Sequence, residues 1–316
     1  MSKEMMMRKQ MKIAAVFLFL VSAILLSSCT STVSSAKEET EGLSWSEEST
    51  VSYLGPAGTY TEEATQLFFG PKANLFPQRT VDEAIAELRA ERVDFAVIPQ
   101  ENTIGGPVVK YVDALIAQTD VYIVGEVVLP ISQTLMGIPG TKLEDIRTVL
   151  SHTQGLDQSR TWRSSNLPSA KEEETASTAA AAKHVAEAKD SSIAAVAAPG
   201  AARLYGLEVL AENVQISLAN RTRFYVLARE PLSGEYSNAL LVARCSADRI
   251  DDIIVALNRS GLELVALHDR PEGSALGSYY YTIELKSASS ITPEQIKVME
   301  GLDDVRYFGT FCVVEK

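Results

Sequence analysis

Three observations in the sequence predict an α/β fold of two lobes followed by a smaller C-terminal module. From Val51 onward, short β-branched runs alternate with segments of helical spacing, the signature of an open sheet with helices on its faces. Two β-rich stretches, near Gly125 and near Asn220, read as crossings between lobes, which would leave a ligand cleft between them. After residue 231 the order is strand, helix, strand, strand, helix, strand, the βαββαβ order of a ferredoxin-like unit.

The elements follow in order. VSYL is a strand that runs into a Gly-rich turn, and TEEATQLFF has helical spacing. NLF is a strand, and TVDEAIAELRAER is an amphipathic helix with Thr80 as candidate cap. DFAVIP is a strand, and PVVKYVDALIAQ is a helix in which Pro107 suits the first turn. VYIVGEVVLPISQTLMGI is the first crossing. RTVLS, a helix near Thr153 to Arg163, the Ala-rich TASTAAAAKHVAEAK, the strand SIAAVA and the helix PGAARLYG make the second lobe, and TRFYVLA returns to the first. PLSGEY is a linker. ALLVARC, RIDDIIVALNRS, LELVALHD, SYYYTIEL, TPEQIKVMEGL and VRYFGTFCVV are the six elements of the module.

The N-terminus predicts export. Met1 to Lys12 is basic, Ile13 to Leu26 is an apolar run too short to span a bilayer comfortably, and Leu26-Ser27-Ser28-Cys29 resembles the lipobox of bacterial lipoproteins. Cys29 is thus the expected lipidation site, and the chain is expected to be held on the outer side of a bacterial membrane, periplasmic or at the cell surface. The domains expected are a signal peptide (1–28), a Ser/Thr/Glu-rich tether (29–50), a two-lobed domain (51–230, lobes about 51–125 plus 220–230, and 126–219) and the module (231–316).

The 316 residues carry 29 Lys and Arg against 41 Asp and Glu, a net charge of −12. Cleavage before Cys29 would remove Lys3, Glu4, Arg8, Lys9 and Lys12, leaving 25 against 40 and a net charge of −15. No basic patch advertises a nucleic-acid partner. His152, His184 and His268 are scattered and the cysteines lie far apart, so no metal site is expected. Outside the cytoplasm, Cys245 and Cys312 could pair or could stay as two isolated thiols.

Four polar loops fall at strand ends, where open α/β sheets place ligands. Gly55-Pro56-Ala57-Gly58-Thr59-Tyr60-Thr61-Glu62 opens a helix, with Thr59 and Glu62 spaced as a capping box; it reads either as an anion-binding helix N-terminus or as a capped turn. Pro99 to Gly106, with Glu101, Asn102 and Thr103, lies between a strand and a helix. Ser151-His152-Thr153-Gln154-Gly155-Leu156 follows RTVLS. Asn220-Arg221-Thr222-Arg223-Phe224 begins the last crossing strand, where a Thr between two Arg side chains can donate a hydrogen bond in a setting that attracts a carboxylate. Together they suggest a cleft for a small anion.

YLGPAGTYTEEA, IPQENTIGG, SHTQGLDQS and NRTRF occur in the order and approximate spacing of the prephenate dehydratase family, and the tail with LHDRP resembles that family's ACT domain. The resemblance implies a periplasmic-binding-protein-like catalytic domain with an ACT domain behind it. It implies conversion of prephenate to phenylpyruvate, in phenylalanine biosynthesis, with no metal or organic cofactor. Thr222 matches the family's key Thr, the hydrogen-bond donor to the departing hydroxyl. Arg223 would orient a substrate carboxylate or brace the loop, and Phe224 would pack. Gly55, Pro56, Gly58, Thr59, Glu101, Asn102, Thr103, Ser151, His152 and Gln154 would bind substrate, with Thr153 and Ser159 replacing a Pro and a Cys of the family pattern. In the tail, His268, Asp269, Arg270 and Pro271 stand where the family binds phenylalanine. Ala247-Asp248-Arg249-Ile250 replaces the family's small Gly-Ala-Leu turn, which weakens the case for that effector. A homodimer or homotetramer is implied, and no chorismate mutase segment is expected ahead of Val51. Export supplies a rival, a non-catalytic solute-binding lipoprotein for an aromatic or anionic molecule; the intact Thr222-Arg223-Phe224 and Asn102 segments argue for the enzyme.

Overall fold

The computed structural model describes residues 45–316 except 47, 233 and 275. Cys29, the predicted signal and most of the predicted tether lie outside the described residues. Among the described residues no helix is long and apolar enough to cross a membrane, and the strands form two sheets.

The first lobe begins with β1 (Thr50–Leu54), β2 (Asn74–Gln78) and β3 (Phe95–Asn102), which lie parallel, with α1 (Tyr60–Phe69) and α2 (Val81–Arg89) as crossovers. Helix α2 starts at Thr80 because its hydroxyl accepts the Glu83 N–H at 3.1 Å and Asp82 and Glu83 load the first turn with negative charge. Pro107 is not in a helical turn. Gly106–Pro107 form a short strand, β4, on β3, the Val108 N–H still donates to Gln100 O at 3.0 Å, and α3 (Val109–Ile116) starts only after that.

Strand β5 (Tyr122–Pro130) corrects the lobe boundary drawn near Gly125. It stays in the first sheet to Pro130, antiparallel to β11 (Arg221–Ala228), and the chain crosses just after it. The two crossings are tied where the Ile131 N–H donates to Asn220 O at 2.8 Å.

The second lobe is a five-stranded sheet in the order β10, β6, β9, β7, β8. Its strands are β6 (Thr134–Gly137), β7 (Thr148–Ser151), β8 (Lys171–Glu174), β9 (Ile193–Ala197) and β10 (Glu208–Ala211), with helices α4 (Thr153–Asn166), α5 (Thr178–Ala188) and α6 (Pro199–Tyr205). In β9, Ala195 and Ala197 face α5 and α6 while Ala194 and Val196 face α4, so small side chains let helices pack closely on both faces. Strand β8, Lys-Glu-Glu-Glu, carries no apolar alternation to reveal it; it is exposed throughout, a charged edge that discourages further pairing.

The module has the predicted order: β12 (Asn238–Ser246), α7 (Arg249–Arg259), β13 (Leu262–Pro271), β14 (Ser278–Ser287), α8 (Pro293–Glu300) and β15 (Val305–Glu315). Its four strands are antiparallel in the order β13, β14, β12, β15. The sheet does not end there, because residues Cys312–Glu315 of β15 pair in parallel with β5. Module and first lobe thus share one ten-stranded sheet. They also share one core, in which Leu240, Val242, Phe308 and Phe311 pack with Ile98, Leu115, Ile123 and Tyr225. The junction after residue 230 is a change of topology without a break in packing.

At the changeover, Gly309 has φ +123° and a Cβ there would stand 2.4 Å from Ile123 O. Gly309→Ala is expected to destabilise the fold by about 3 kcal/mol, from backbone strain plus overpacking. A melting temperature unchanged from wild type would show that the changeover tolerates a side chain.

Cys245 and Cys312 are free. Asn238 lies opposite Phe311, and Cys245 is farther along β12 by roughly 20 Å, well beyond disulfide reach. Burial pushes the Cys312 thiol up to about 11, so it stays protonated at neutral pH.

Candidate active site

Thr222 stands opposite Asn102 where β11 meets the end of β3. The predicted Asn102 loop is therefore partly strand: Pro99 to Asn102 complete β3, and the turn begins at Thr103. Asn102 is buried. Its Oδ1 accepts the N–H groups of Ile104 (3.0 Å) and Gly105 (3.2 Å), which fixes the orientation of the amide. Its Nδ2 then donates to Asn220 Oδ1 at 2.8 Å and to Thr222 Oγ1 at 2.9 Å. Since Thr222 Oγ1 is an acceptor toward Asn102, its own proton is available elsewhere, and it finds no acceptor among the described residues.

Thr103 is spent on the loop. Its hydroxyl donates to Ala219 O at 3.2 Å and accepts the Arg221 N–H at 3.0 Å, stapling the turn to the second crossing. Across the lobes, His152 and Gln154 are exposed at the N-terminus of α4, where His152 Nδ1 accepts the Gln154 N–H at 3.3 Å. A methyl group built on Gly105 would lie 3.9 Å from Gln154 Nε2, so this helix end and the Asn102 loop face one another. Ser151, predicted to bind substrate, is instead wholly buried and donates to Val196 O at 2.6 Å.

The Gly55 turn also differs from expectation. No capping box forms: Thr59 makes no cap hydrogen bond, its hydroxyl pointing to Leu54 O at 3.4 Å, and Glu62 accepts the Gly58 N–H. A carboxylate of the protein thus occupies the donor expected to hold an anion. Gly55 is tied by its N–H to Gln78 O at 2.8 Å, across a cis peptide to Pro56. Gly58 and Thr59 do face the second lobe, lining with Glu62, Gly200, Arg203 and Leu204 a cavity of about 190 Å³. Tyr60 donates to Ser132 O at 2.5 Å and Tyr205 to Ala57 O at 3.2 Å, holding the lobes together beside it.

Arg223 does not join Thr222. Successive residues of a strand point to opposite faces, and Arg223 turns away to three carboxylates: Glu101 at 3.0 Å, Glu126 at 2.5 Å, and Glu284 on β14. Bracing, the second of its two predicted roles, is the one this geometry allows. Glu101 follows Arg223 to that face and leaves the substrate side. Burial pushes the Glu126 carboxyl above its ordinary range against the pull of Arg223. Phe224 is 1% exposed and packs with Tyr53, Phe95 and Val97.

In the module, His268, Asp269, Arg270 and Pro271 lie on β13, opposite Thr282, Tyr281, Tyr280 and Tyr279 of β14. Arg270 makes a two-point ion pair with Asp113 on α3, at 2.7 and 3.1 Å. Beside it is a pocket of about 620 Å³, lined by Asp113, Val242, Arg244, Tyr280 and Arg306 as well as Arg270 and Pro271. It is far from Thr222 in the fold and belongs to the module's contact with α3.

Sequence reasoning assigned no role to Asn220, Glu126 or Glu284. The latter two had a signal: each is a lone acid inside an apolar strand, YIVGEVVLP and SYYYTIELKS, where a carboxylate needs a buried partner. Among the described residues no cluster of His, Cys, Asp and Glu could hold a metal.

Comparison with known proteins bears on this arrangement. The sequence profile of prephenate dehydratase matches residues 51–232. The chain is 33% identical over 240 residues to the bifunctional chorismate mutase/prephenate dehydratase of Neisseria gonorrhoeae, covering 75% of this chain and 66% of that protein. It is 30% identical to the prephenate dehydratase of Lactococcus lactis subsp. cremoris, covering 83% of this chain and 97% of that one. Among solved structures it resembles a prephenate dehydratase from Arthrobacter aurescens in complex with L-Phe, at a TM-score of 0.75 and 29% identity, covering 83% of this chain and 90% of that one.

Proposed function

From the premise that the chain belongs to the prephenate dehydratase family, we propose that it converts prephenate to phenylpyruvate at the Asn102–Thr222 pair. Prephenate loses its ring carboxylate as CO2 while the C4 hydroxyl takes up a proton and leaves as water, so the ring becomes aromatic. The enzyme has to hold a dianion and ease the departure of hydroxide. The observation that carries the reading is the 2.9 Å hydrogen bond from Asn102 to Thr222 Oγ1, which leaves the Thr222 proton to point at a leaving oxygen. Thr222 then stabilises that oxygen as it gathers charge, and a neutral donor suits the task because it adds no charge of its own. Asn102 sets its direction, and Gln154 on the second lobe lies across from the Asn102 loop.

The assay is purified chain from residue 30 with prephenate at neutral pH, read as phenylpyruvate absorbance in alkali. Turnover above the spontaneous rate is expected; its absence, with tight binding of an aromatic solute, would favour the receptor reading. Asn102→Asp is expected to lower kcat about 100-fold while the fold survives. The Asp would keep the Ile104 and Gly105 hydrogen bonds but accept from Thr222, turning the catalytic proton inward. Wild-type kcat in that variant would remove Asn102 from its role.

The C-terminal module is read as an ACT domain, a homodimer or homotetramer as the assembled form, and phenylalanine as its effector. Support comes from the βαββαβ order, from exposed Val255, Leu264 and Val265 on α7 and the edge strand β13, and from the pocket beside Arg270 and Pro271. Light scattering with and without phenylalanine tests assembly and response together. The basic and apolar N-terminus ending at Cys29 supports attachment by lipid outside the cytoplasm. Labelled palmitate should enter the wild type and not Cys29→Ala; label in both, or in neither, would overturn the anchor.

A further inference from the structure

We infer that Glu284, carried by the C-terminal module, is a positioning residue for the Asn102–Thr222 pair and acts on it through Arg223. Thr222 and Arg223 are neighbours on β11, and Asn102 and Glu101 are neighbours on β3. On the face away from Thr222, Arg223 is joined to Glu101, to Glu126 on β5, and to Glu284 on β14. Tyr225, next on that face of β11, donates its hydroxyl to Glu284 Oε1 at 2.5 Å. Glu284 therefore takes hold of β11 at two points on either side of Phe224.

That grip lies where it matters. The pairing of β11 with β3 shifts register between Arg223 and Phe224, so the Thr222–Asn102 step sits beside an irregularity that a side-chain tie across it can steady. Glu284 is 4% exposed and Glu126 5%. Carboxylates so buried and held by one guanidinium have few alternative rotamers, and they hold the backbone beside them still. Glu284 Oε2 has no hydrogen-bond partner among the described residues. All of the side chain's polar contact is thus directed through Oε1 to β11. Of the five side chains, Glu284 alone lies outside residues 51–232, the span shared with the family profile. The catalytic strand is accordingly held in part from another module, and a change of β14 would be felt at Thr222.

The test uses the chain from residue 30 with Glu284→Ala and Glu284→Gln. Its kinetic arm rests on the dehydratase reading; a second arm, hydrogen exchange of the peptide spanning Arg221 to Phe224, does not. In Glu284→Ala we expect kcat about 10-fold lower with KM within about twofold, the pattern of a misplaced catalytic group. Exchange of the peptide should be faster than in wild type. Glu284→Gln keeps an acceptor for Tyr225 and Arg223 and should recover most of both. A lowered melting temperature with unchanged kcat and unchanged exchange of that peptide would overturn the inference, as would Gln no better than Ala. If Glu284→Ala does not fold, Glu284→Asp, one methylene short, replaces it with the same expected split, and unchanged kcat and exchange would again overturn it. Should the wild type not act on prephenate, the dehydratase reading fails and the exchange arm decides this inference by itself.

Discussion

Thr222→Ala is expected to lower kcat on prephenate by about 10²–10³-fold while KM changes by less than about threefold. The asymmetry follows from the geometry. In the ground state the C4 hydroxyl is a neutral group that water can serve as well as Thr222 can. As the C–O bond breaks, the oxygen acquires negative charge, and a donor already aimed at it becomes worth far more than a water that must reorient. Asn102 does that aiming at 2.9 Å, so removal of the hydroxyl takes away an interaction that exists mainly in the transition state. Thr222→Ser should keep most of the rate, since the same oxygen can accept from Asn102. Equal losses in kcat/KM and in substrate affinity for Thr222→Ala would mean that the residue only binds.

A chain cut after Leu232 is expected not to fold, although it retains every residue of the span shared with the family profile. The cut would strip Leu240, Val242, Phe308 and Phe311 from the core they share with Ile98, Leu115, Ile123 and Tyr225. At about 1.5–3 kcal/mol for each large apolar side chain buried, the loss approaches about 10 kcal/mol, similar to the whole stability of a domain. It would also leave Arg223 without Glu284 and open the edge of β5. The measurement is the soluble yield and near-ultraviolet circular dichroism of the fragment beside the full chain. A soluble fragment that melts cooperatively would show that the first lobe closes its own core.

The order of elements was legible because the signals are local: Thr80 before an amphipathic run, Pro199 at the first turn of α6, the apolar run of β12 and the alternation of Tyr281, Ile283 and Leu285 in β14. The edge strand β8 was not, since Lys-Glu-Glu-Glu has no periodicity and pairs only because β7 offers it a free edge. The partnership of Asn102 with Thr222 joins residues 120 apart in sequence; motif resemblance could bring them to one site but could not say which donates to which. The direction of Arg223 is set by strand parity. A motif written as Thr-Arg-Phe invites one site for all three side chains, whereas the pleat sends the middle one to the other face. The Ser151 and Thr103 hydroxyls, which the motifs alone would give to a substrate, both donate to backbone carbonyls. A small hydroxyl at a strand end serves a backbone carbonyl as readily as a ligand.

The parallel pairing of β15 with β5 also sets an order of events in synthesis. Cys312 meets Gly125 only after a loop of about 190 residues has been made and closed, a late and entropically costly contact. Until then β5 is an apolar strand with both sides unpaired at first and one side unpaired after β11 is made, the kind of edge that recruits other chains. A ribosome-bound chain is thus most vulnerable between the emergence of Tyr122 and the arrival of Glu315. A factor that shields nascent strands would have its longest task here.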